Sequence, residues 1–476
     1  MSETIAEMIL PGTYIDVRAE GLIGVSGIAT GNVGVVGSAN KGPLNQVQVL
    51  GSYSDALDTF GAYDRWPDAP ADQPKALTLV RALEQLFKGG ASSVYAVRVA
   101  NVGGTPMATM SWAVQSATNA TLFTLTATSP GTWANALQVT LDTPAGEPVT
   151  LTLAMGRVKE TFTGVDAGTL AASLADGSRF VTGDTPAVAD AGTVPKKVAA
   201  SATVGGPDGT PITNTEVSDG LAALANQPVN IVVVAGADAK SGASPLLAHL
   251  ESTENDGRER IGVIGASSDD PATVISDDVS KGSSPRFILV APGIVADDAA
   301  RVGAADKSVK LPSAYTAALV AGKLATLAPH VSLTNATVPA NDLTRDYSRA
   351  QQKQLLQQQV LVLRKQFGIQ VVKAITTDTG AFRQISVRRI VDYAKAGVRL
   401  GSNPYIGRLN NVRVRAALKA TLDGFLAGMV LDEMLVGYTL DVSATRAQEI
   451  QGQAIVTMTL QPTFSIDFVK VIMNLQ

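Results

Sequence analysis

Three short segments of almost unbroken apolar sequence, separated by helical patterns, most constrain the fold of this 476-residue chain. They are Asn230–Ala235, Arg260–Ala266 and Arg286–Pro292. Strands of a parallel sheet are covered on both faces, so they lack the polar alternation of a half-exposed sheet. We therefore predict a parallel α/β core, which we assign to residues 206–375.

Two further helices and a preceding α/β segment are predicted around this core. The helices cover Pro312–Ala325, with Ser313 as a plausible cap, and Gln351–Phe367, which carries an apolar stripe. Residues 31–102 contain a buried strand at Val33–Gly37, a helix at Lys75–Lys88 and a strand at Val94–Val99. This segment is expected to pack with the core.

The intervening residues 103–205 have a different composition, rich in Thr, Ala, Gly and Val. Short strand patterns at Ala120–Thr128, Leu137–Leu141 and Val149–Ala154 are separated by Gly and Pro turns. Such spacing is typical of a sandwich of two sheets. We predict an inserted β-sandwich domain here.

The two ends of the chain complete the predicted division. Residues 376–476 are expected to form an α+β domain with a long helix at Asn411–Leu435 and strands at Ala454–Leu460 and Phe464–Met473. Residues 1–30 form an N-terminal arm, in which the strand-like alternation of Tyr14–Arg18 is followed by glycines. This strand either docks on the sheet of its own chain or pairs elsewhere, and the two alternatives have similar weight.

Catalytic chemistry is poorly supported by the residues present. The chain has no cysteine, which excludes disulfides, thiolate metal sites and a cysteine nucleophile. Its two histidines, His249 and His330, lack a metal-binding spacing, and no Gly-x-Ser-x-Gly elbow occurs. The glycines of Gly205–Gly209 are not followed by the Lys-Ser/Thr of a phosphate loop. We predict no catalytic, cofactor or metal site.

The strongest charge signal lies in residues 381–420, which hold nine basic side chains and one acidic residue, Asp392. The basic residues form a solvated helix face or meet an acidic partner surface. Nucleic acid is a poorer fit, because the net charge is −4 and aromatic residues are scarce in this stretch. The longest apolar runs fall far short of the roughly 20 residues of a membrane span. The acidic N-terminus is unlike a secretory signal, so a soluble protein made in a cytoplasm is expected.

Several motifs, read in order, resemble those of contractile phage tail sheath proteins. They are Pro11–Asp16, Gly34–Pro43, Phe87–Ala91 with Tyr95–Val99, Gly131–Asn135, Gly205–Gly209, Pro312–Tyr315, Ser386–Tyr393 and Ser465–Phe468. Each motif alone is weak, but their order over nearly the whole chain is specific. The resemblance implies a subtilisin-like core without a catalytic triad, an outward-projecting sandwich and a C-terminal domain lining the inside of the sheath.

The resemblance also implies partners and a mechanism. The chain is expected to form a helical homopolymer of hexameric rings around a tail tube protein, with baseplate and tail terminator proteins at its ends. The polymer would assemble in the host cytoplasm, belong to the virion tail and contract to drive the tube through the host envelope. Phage tails, bacteriocin-like tail particles and cellular injection systems share this chemistry.

Two groups of residues are predicted to carry this function. Strands exchanged between subunits, a form of β-augmentation, are assigned to Tyr14, Ile15, Asp16, Val17, Arg18, Phe464, Ile466, Asp467, Phe468, Val469 and Val471. Candidate contacts with the tail tube are Arg388, Arg389, Arg413, Arg415 and Lys419. The alternative functions are an α/β hydrolase with a β-sandwich accessory domain and, with less support, a secreted adhesin.

Overall fold

The computed structural model describes residues 27–62, 77–103, 107–156, 158–175, 177–298 and 305–474. The described strands are, in chain order, β1 (Val33–Gly37), β2 (Val47–Leu50), β3 (Val94–Arg98), β4 (Ser111–Gln115), β5 (Thr121–Ala127), β6 (Leu137–Asp142), β7 (Val149–Met155), β8 (Val158–Gly164), β9 (Val181–Gly183), β10 (Val198–Ala202), β11 (Ile231–Asp238), β12 (Ile261–Gly265), β13 (Phe287–Ala291), β14 (Ile294–Asp297), β15 (Ser308–Leu311), β16 (Asp342–Leu343), β17 (Val360–Lys365), β18 (Ile369–Val371), β19 (Leu435–Ser443) and β20 (Ile455–Pro462). The described α-helices are α1 (Tyr53–Phe60), α2 (Leu79–Gly89), α3 (Ala167–Ala175), α4 (Asn214–Leu224), α5 (Ala239–Asn255), α6 (Pro271–Thr273), α7 (Ser313–Ala325), α8 (Arg349–Gln357), α9 (Ile385–Ser402), α10 (Val412–Leu431) and α11 (Arg446–Ile450).

An eight-stranded sheet in the order β18-β17-β13-β12-β11-β1-β3-β2 forms the centre of the chain. Its six inner strands are parallel, and β2 and β18 are antiparallel edges. Helices α2 and α7 cover one face, and α4 and α5 cover the other. The inner strands are apolar throughout because both faces are buried. The predicted parallel α/β core is confirmed, and β1–β3 belong to the same sheet.

Residues 107–202 form two smaller antiparallel sheets, β4-β5-β9 and β10-β6-β7-β8. The inward side chains of both sheets, together with those of α3, make one buried apolar cluster that contains Trp133. Alternation of buried and exposed residues along β6 and β7 sets the face of each strand that enters this cluster. The strands predicted for this part of the chain are confirmed to within a residue or two.

The C-terminal part packs α9 and α10 against the antiparallel β19–β20 hairpin. Its small core contains Ile390 and Ala394 of α9, Leu426 and Met429 of α10, and Leu435 of β19. The predicted long helix is confirmed but ends at Leu431, and the strand that follows it was missed.

Two sequence predictions are wrong. The stretch 351–367 is not one helix, because α8 ends at Gln357 and Gln359 takes a left-handed φ of 60° before β17 begins. A short apolar run such as that of β17 fits a buried strand as well as a helix. Ser313 is not the cap of α7, since the N-cap is Pro312 and makes no side-chain cap hydrogen bond. The strand predicted at Phe464–Met473 stays a prediction, because a strand donated to a neighbouring subunit has no partner in a single chain.

Candidate assembly surfaces

Residues 463–474, here called the terminal segment, leave the hairpin as irregular chain without a described strand partner. Their large apolar side chains are at least 62% exposed, namely Phe464, Ile466, Phe468, Val469, Val471, Ile472 and Met473. Apolar residues on both faces of a run are typical of a strand that is buried on both sides. A contiguous exposed apolar stretch of this kind marks a surface for another chain.

The start of the terminal segment is fixed to its own chain at Asp467. The Asp467 carboxylate lies 3.1 Å from the Lys373 ammonium and accepts a hydrogen bond of 3.2 Å from the Gln384 amide. Both members of the ion pair are largely buried. The Lys373 ammonium also lies 4.9 Å from the ring centroid of Phe468, in a cation–π contact. Asp467 and Phe468 therefore mark the last residues held by the chain's own side chains.

The β19–β20 hairpin is a two-stranded sheet, and neither outer edge has another strand beside it in the described chain. Tyr438 secures one face by donating a 2.8 Å hydrogen bond to Asp423 of α10; burial and this bond raise the pKa of Tyr438 to about 12. An unpaired strand edge presents free N–H and C=O groups that accept a further strand. The hairpin offers two such edges close to the point where the terminal segment begins.

Arg388 and Arg389 lie in α9 and are buried, which removes them from the predicted set of surface contacts. Arg388 donates a 2.6 Å hydrogen bond to Asp392. Arg389 donates to the carbonyl oxygens of Thr30, Leu327 and Ala328, and its burial lowers its pKa to about 10. Both guanidinium groups hold this subunit together, so they do not face a partner in this structure.

The remaining three basic candidates lie along α10. Arg413 is exposed, and Lys419 is about half exposed with its ammonium 3.6 Å from Asp441. Arg415 is only 11% exposed and is bound to Glu449 at 2.9 Å. The structure thus leaves Arg413 and Lys419 available to a partner surface, whereas Arg415 is occupied within the chain.

Charged side chains also join α9 to the core. Buried Arg286 forms bidentate pairs with Glu254 of α5 and with Asp392 of α9, at 2.6–2.9 Å. Hydrogen bonds from Arg286 lower the pKa of Glu254 to about 2. Arg399 adds a 2.9 Å pair with Glu259. Much of the basic excess seen in the sequence is therefore neutralised by acids from distant parts of the chain.

The histidine that lies in the core is unsuited to acid–base chemistry. Arg260 lies 2.8 Å from Nε2 of His249, and since a guanidinium only donates, this nitrogen accepts. Burial, followed by the charge of Arg260, lowers the pKa of His249 to about 4. Within the described ranges, no three acidic or histidine side chains are grouped so as to hold a metal ion. No described helix has the length and apolar character required to cross a membrane.

Some residues predicted to take part in strand exchange lie outside the part of the chain that the structure describes. The strand assigned to Tyr14, Ile15, Asp16, Val17 and Arg18 lies outside the described residues. Sequence reasoning also missed Lys373, the partner of Asp467, and the β19 edge. The alternation of Val436, Tyr438, Leu440 and Val442 was an available signal for β19, whereas nothing local identifies Lys373.

Comparison with known proteins agrees with this arrangement. The sheath tail protein of Desulfitobacterium hafniense matches with a TM-score of 0.64 and 19% identity, covering 95% of this chain and 100% of that one. The sheath tail protein of Listeria innocua matches with a TM-score of 0.68 and 15% identity, covering 94% and 95%. The helical sheath of the anti-feeding prophage in its contracted state gives 0.54 and 15%, covering 99% of both chains. No curated protein sequence matches the chain significantly.

The fold is thus that of tail sheath proteins, a mixed α/β architecture with several sheets. The family model for the phage tail sheath protein central domain matches residues 210–377, and that for the phage tail sheath C-terminal domain matches residues 377–476. Together they span more than half of the chain, which belongs to the phage tail sheath family. It is a structural subunit of a contractile sheath, and the resemblance found in the sequence is confirmed.

Proposed function

We propose that this chain polymerises into a helical tube of hexameric rings around a tail tube, and that contraction of this tube drives the tail tube through a host envelope. The observation that carries the proposal is the exposed, two-sided apolar terminal segment beside a hairpin with two open edges. A contact in which one copy donates and the next accepts is heterologous, so it propagates into a helical polymer.

The strand exchange is proposed for both ends of the chain. The donated C-terminal part begins after Phe468, because Lys373 and Gln384 hold Asp467 and Lys373 also contacts the ring of Phe468. The N-terminal strand Tyr14–Arg18 is the second donated element. The hairpin β19–β20 of a neighbour is the acceptor, since its edges supply the main-chain groups and its exposed side chains fix the register.

The division of the chain into parts follows the same hypothesis. Residues 1–30 are the arm, 31–102 an α/β segment, 103–205 an outward-projecting β-sandwich, 206–375 a subtilisin-like core and 376–476 the inner domain. The covered parallel sheet supports a scaffold role for the core, and the shared apolar cluster of the two small sheets supports a separate sandwich. The cluster around α9, α10 and the hairpin supports the inner domain.

The inner domain is proposed to hold the tail tube through basic residues of α10. Arg413 and Lys419 are the best-placed candidates, because they are exposed or half exposed. Arg415 is a weaker candidate because Glu449 already binds it. Exposed charge pairs are individually weak and screened by salt, which suits contacts that must all break on contraction.

The energy of contraction is proposed to be stored during assembly. The extended sheath is then a metastable packing, and contraction increases the surface buried between subunits. Baseplate and terminator proteins are the proposed partners at the two ends of the polymer. Assembly in the host cytoplasm and residence in the tail of a virion or related particle complete the proposal; anti-feeding prophage sheath and baseplate structures, which share the fold, support it.

Deletion of residues 1–20 tests strand exchange. We expect the shortened chain to fold, with unchanged circular dichroism and melting, but to stay monomeric under conditions in which the full chain forms striated tubes in negative-stain images. Tubes of normal length and abundance from the shortened chain would refute the proposal.

A further inference from the structure

A basic groove of about 860 Å³ lies beside the start of the terminal segment. Asp467 and Phe468 form part of its wall, and α8, the end of β17 and loop residues around 334–335, 346–347, 372–373 and 383 contribute most of the rest. Six cationic side chains line it, namely Arg349, Lys353, Arg364, Lys365, Lys373 and Arg383. The acidic lining residues are Asp346 and Asp467, so the groove carries a clear positive excess.

Four of these six cations lack an acidic partner within the described chain. Lys365 is paired with Asp342 at 2.9 Å and Lys373 with Asp467 at 3.1 Å, and Arg364 donates to the neutral amide of Asn335 at 2.9 Å. The described residues provide no ion pair for Arg349, Lys353 or Arg383. These three side chains are therefore available to an anionic ligand.

Two of the guanidinium groups are also incompletely bonded. The Nε atoms of Arg364 and Arg383 are buried and have no acceptor among the described residues. A buried N–H donor without an acceptor is costly, so native structures satisfy nearly all of them. The chain's own atoms enclose these Nε atoms while the groove is empty, so the attraction of the groove for an anion rests on the charge of the two guanidinium groups and not on Nε. A carboxylate-bearing peptide supplies both negative charge and acceptor oxygens.

The same chain contains a segment with the matching charge. Residues 1–20 hold four carboxylates, Glu3, Glu7, Asp16 and Glu20, and one basic side chain, Arg18. We propose that the groove of one subunit binds the acidic N-terminal segment of a neighbouring copy, with Arg349, Lys353 and Arg383 pairing with its glutamates. This inference rests on the proposed strand exchange and adds a charge-selective docking site to it.

The geometry of α8 makes this site easy to alter without unfolding the chain. Arg349 and Lys353 are four residues apart and therefore share one face of the helix. Both are exposed. Arg349 is the first residue of the helix, where a negative charge is favourable, so its replacement by Glu does not threaten the fold.

The test uses two complementary full-length variants, R349E/K353E in the groove and E3K/E7K in the N-terminal segment. Each variant alone should need a roughly tenfold higher protein concentration to polymerise at low salt, because two attractions become two repulsions. An equal mixture of the two should polymerise near the concentration of the unmodified chain. In the mixture, each N-terminal segment finds a groove of opposite charge on the other variant.

The mixture of the two variants identifies what occupies the groove. If the N-terminal segment bound the groove of its own chain, each variant would keep a mismatched pair and mixing would restore nothing, which would overturn the proposal. If the groove held nucleic acid, phosphate or a different acidic protein, E3K/E7K would not rescue R349E/K353E, and the proposal would be overturned as well. Wild-type polymerisation of either variant alone would also overturn it. K240E/K307E, which reverses two exposed lysines outside the groove, controls for the change in net charge.

The deletion of residues 1–20 distinguishes failure of the docking site from failure of the proposed strand exchange. If the deletion leaves tube formation intact, strand exchange through the N-terminal arm fails together with the docking site. If the deletion abolishes tubes while both charge variants polymerise normally, only the docking site fails.

Discussion

Replacing both Val469 and Val471 by serine should weaken polymerisation about a hundredfold. The two valines are 80% and 71% exposed in the single subunit, and their odd-numbered positions place them on one face of an extended strand. If this face is buried by a neighbour, each valine contributes about 1.5 kcal/mol of apolar burial to the contact. The double substitution then costs about 3 kcal/mol, and about 1.4 kcal/mol corresponds to a factor of ten.

The assay is the lowest protein concentration at which sedimentable polymer forms, measured alongside thermal melting of the dispersed subunit. Melting should not change, since neither side chain is buried within its own chain. V188S is a matched control, because Val188 is 97% exposed and lies in the sandwich region, away from the terminal segment. The reasoning is refuted if V469S/V471S polymerises at the concentration of the unmodified chain, or if V188S weakens polymerisation equally.

Two further predictions concern α10 and the buried histidine. R413E/K419E should yield sheaths that assemble without the tail tube or contract early, and normal extended tails in electron micrographs would place the tube contact elsewhere. For His249, a folded-state pKa of about 4 against an ordinary value near 6.5 means that the unfolded chain binds the proton first as pH falls. The contribution of His249 to the free energy of unfolding is therefore fully present above pH 6.5. It decreases by about 3 kcal/mol as the pH falls to about 4. H249Q should show a smaller loss between these pH values in urea unfolding of dispersed subunits; an unchanged pH profile would contradict this assignment.

The central sheet was predictable because its signal is local. Strands buried on both faces leave an apolar run that can be recognised without knowledge of their neighbours, as in β11, β12 and β13. The β17 strand escaped prediction because its apolar run directly follows the real helix α8, and hydrophobic spacing over such a short distance does not separate the two states.

The burial and the ion-pair partners of the basic residues in 381–420 were not predictable from their local sequence. The excess of positive charge in 381–420 is genuine, but its partners come from elsewhere in the chain: Glu254, Glu259 and the carbonyl oxygen of Thr30. Only the fold brings these groups to α9, so burial of Arg388 and Arg389 could not be inferred from composition. The terminal segment, in contrast, could be recognised from its local sequence. Its apolar residues require burial, and a single chain does not provide it.

The two ion pairs of Arg286, with Glu254 and with Asp392, have a mechanical consequence for the polymer. Because Arg286 binds Glu254 of α5 and Asp392 of α9 with four short hydrogen bonds, a load on the C-terminal hairpin passes directly into the central sheet. Breaking one partner of such a buried pair costs about 3–5 kcal/mol, more than any single exposed contact. Under the proposed strand exchange, torque between neighbouring subunits is taken up beyond Phe468, the last residue held by the chain's own side chains, while the ion pairs of Arg286 keep the C-terminal domain and the central sheet together.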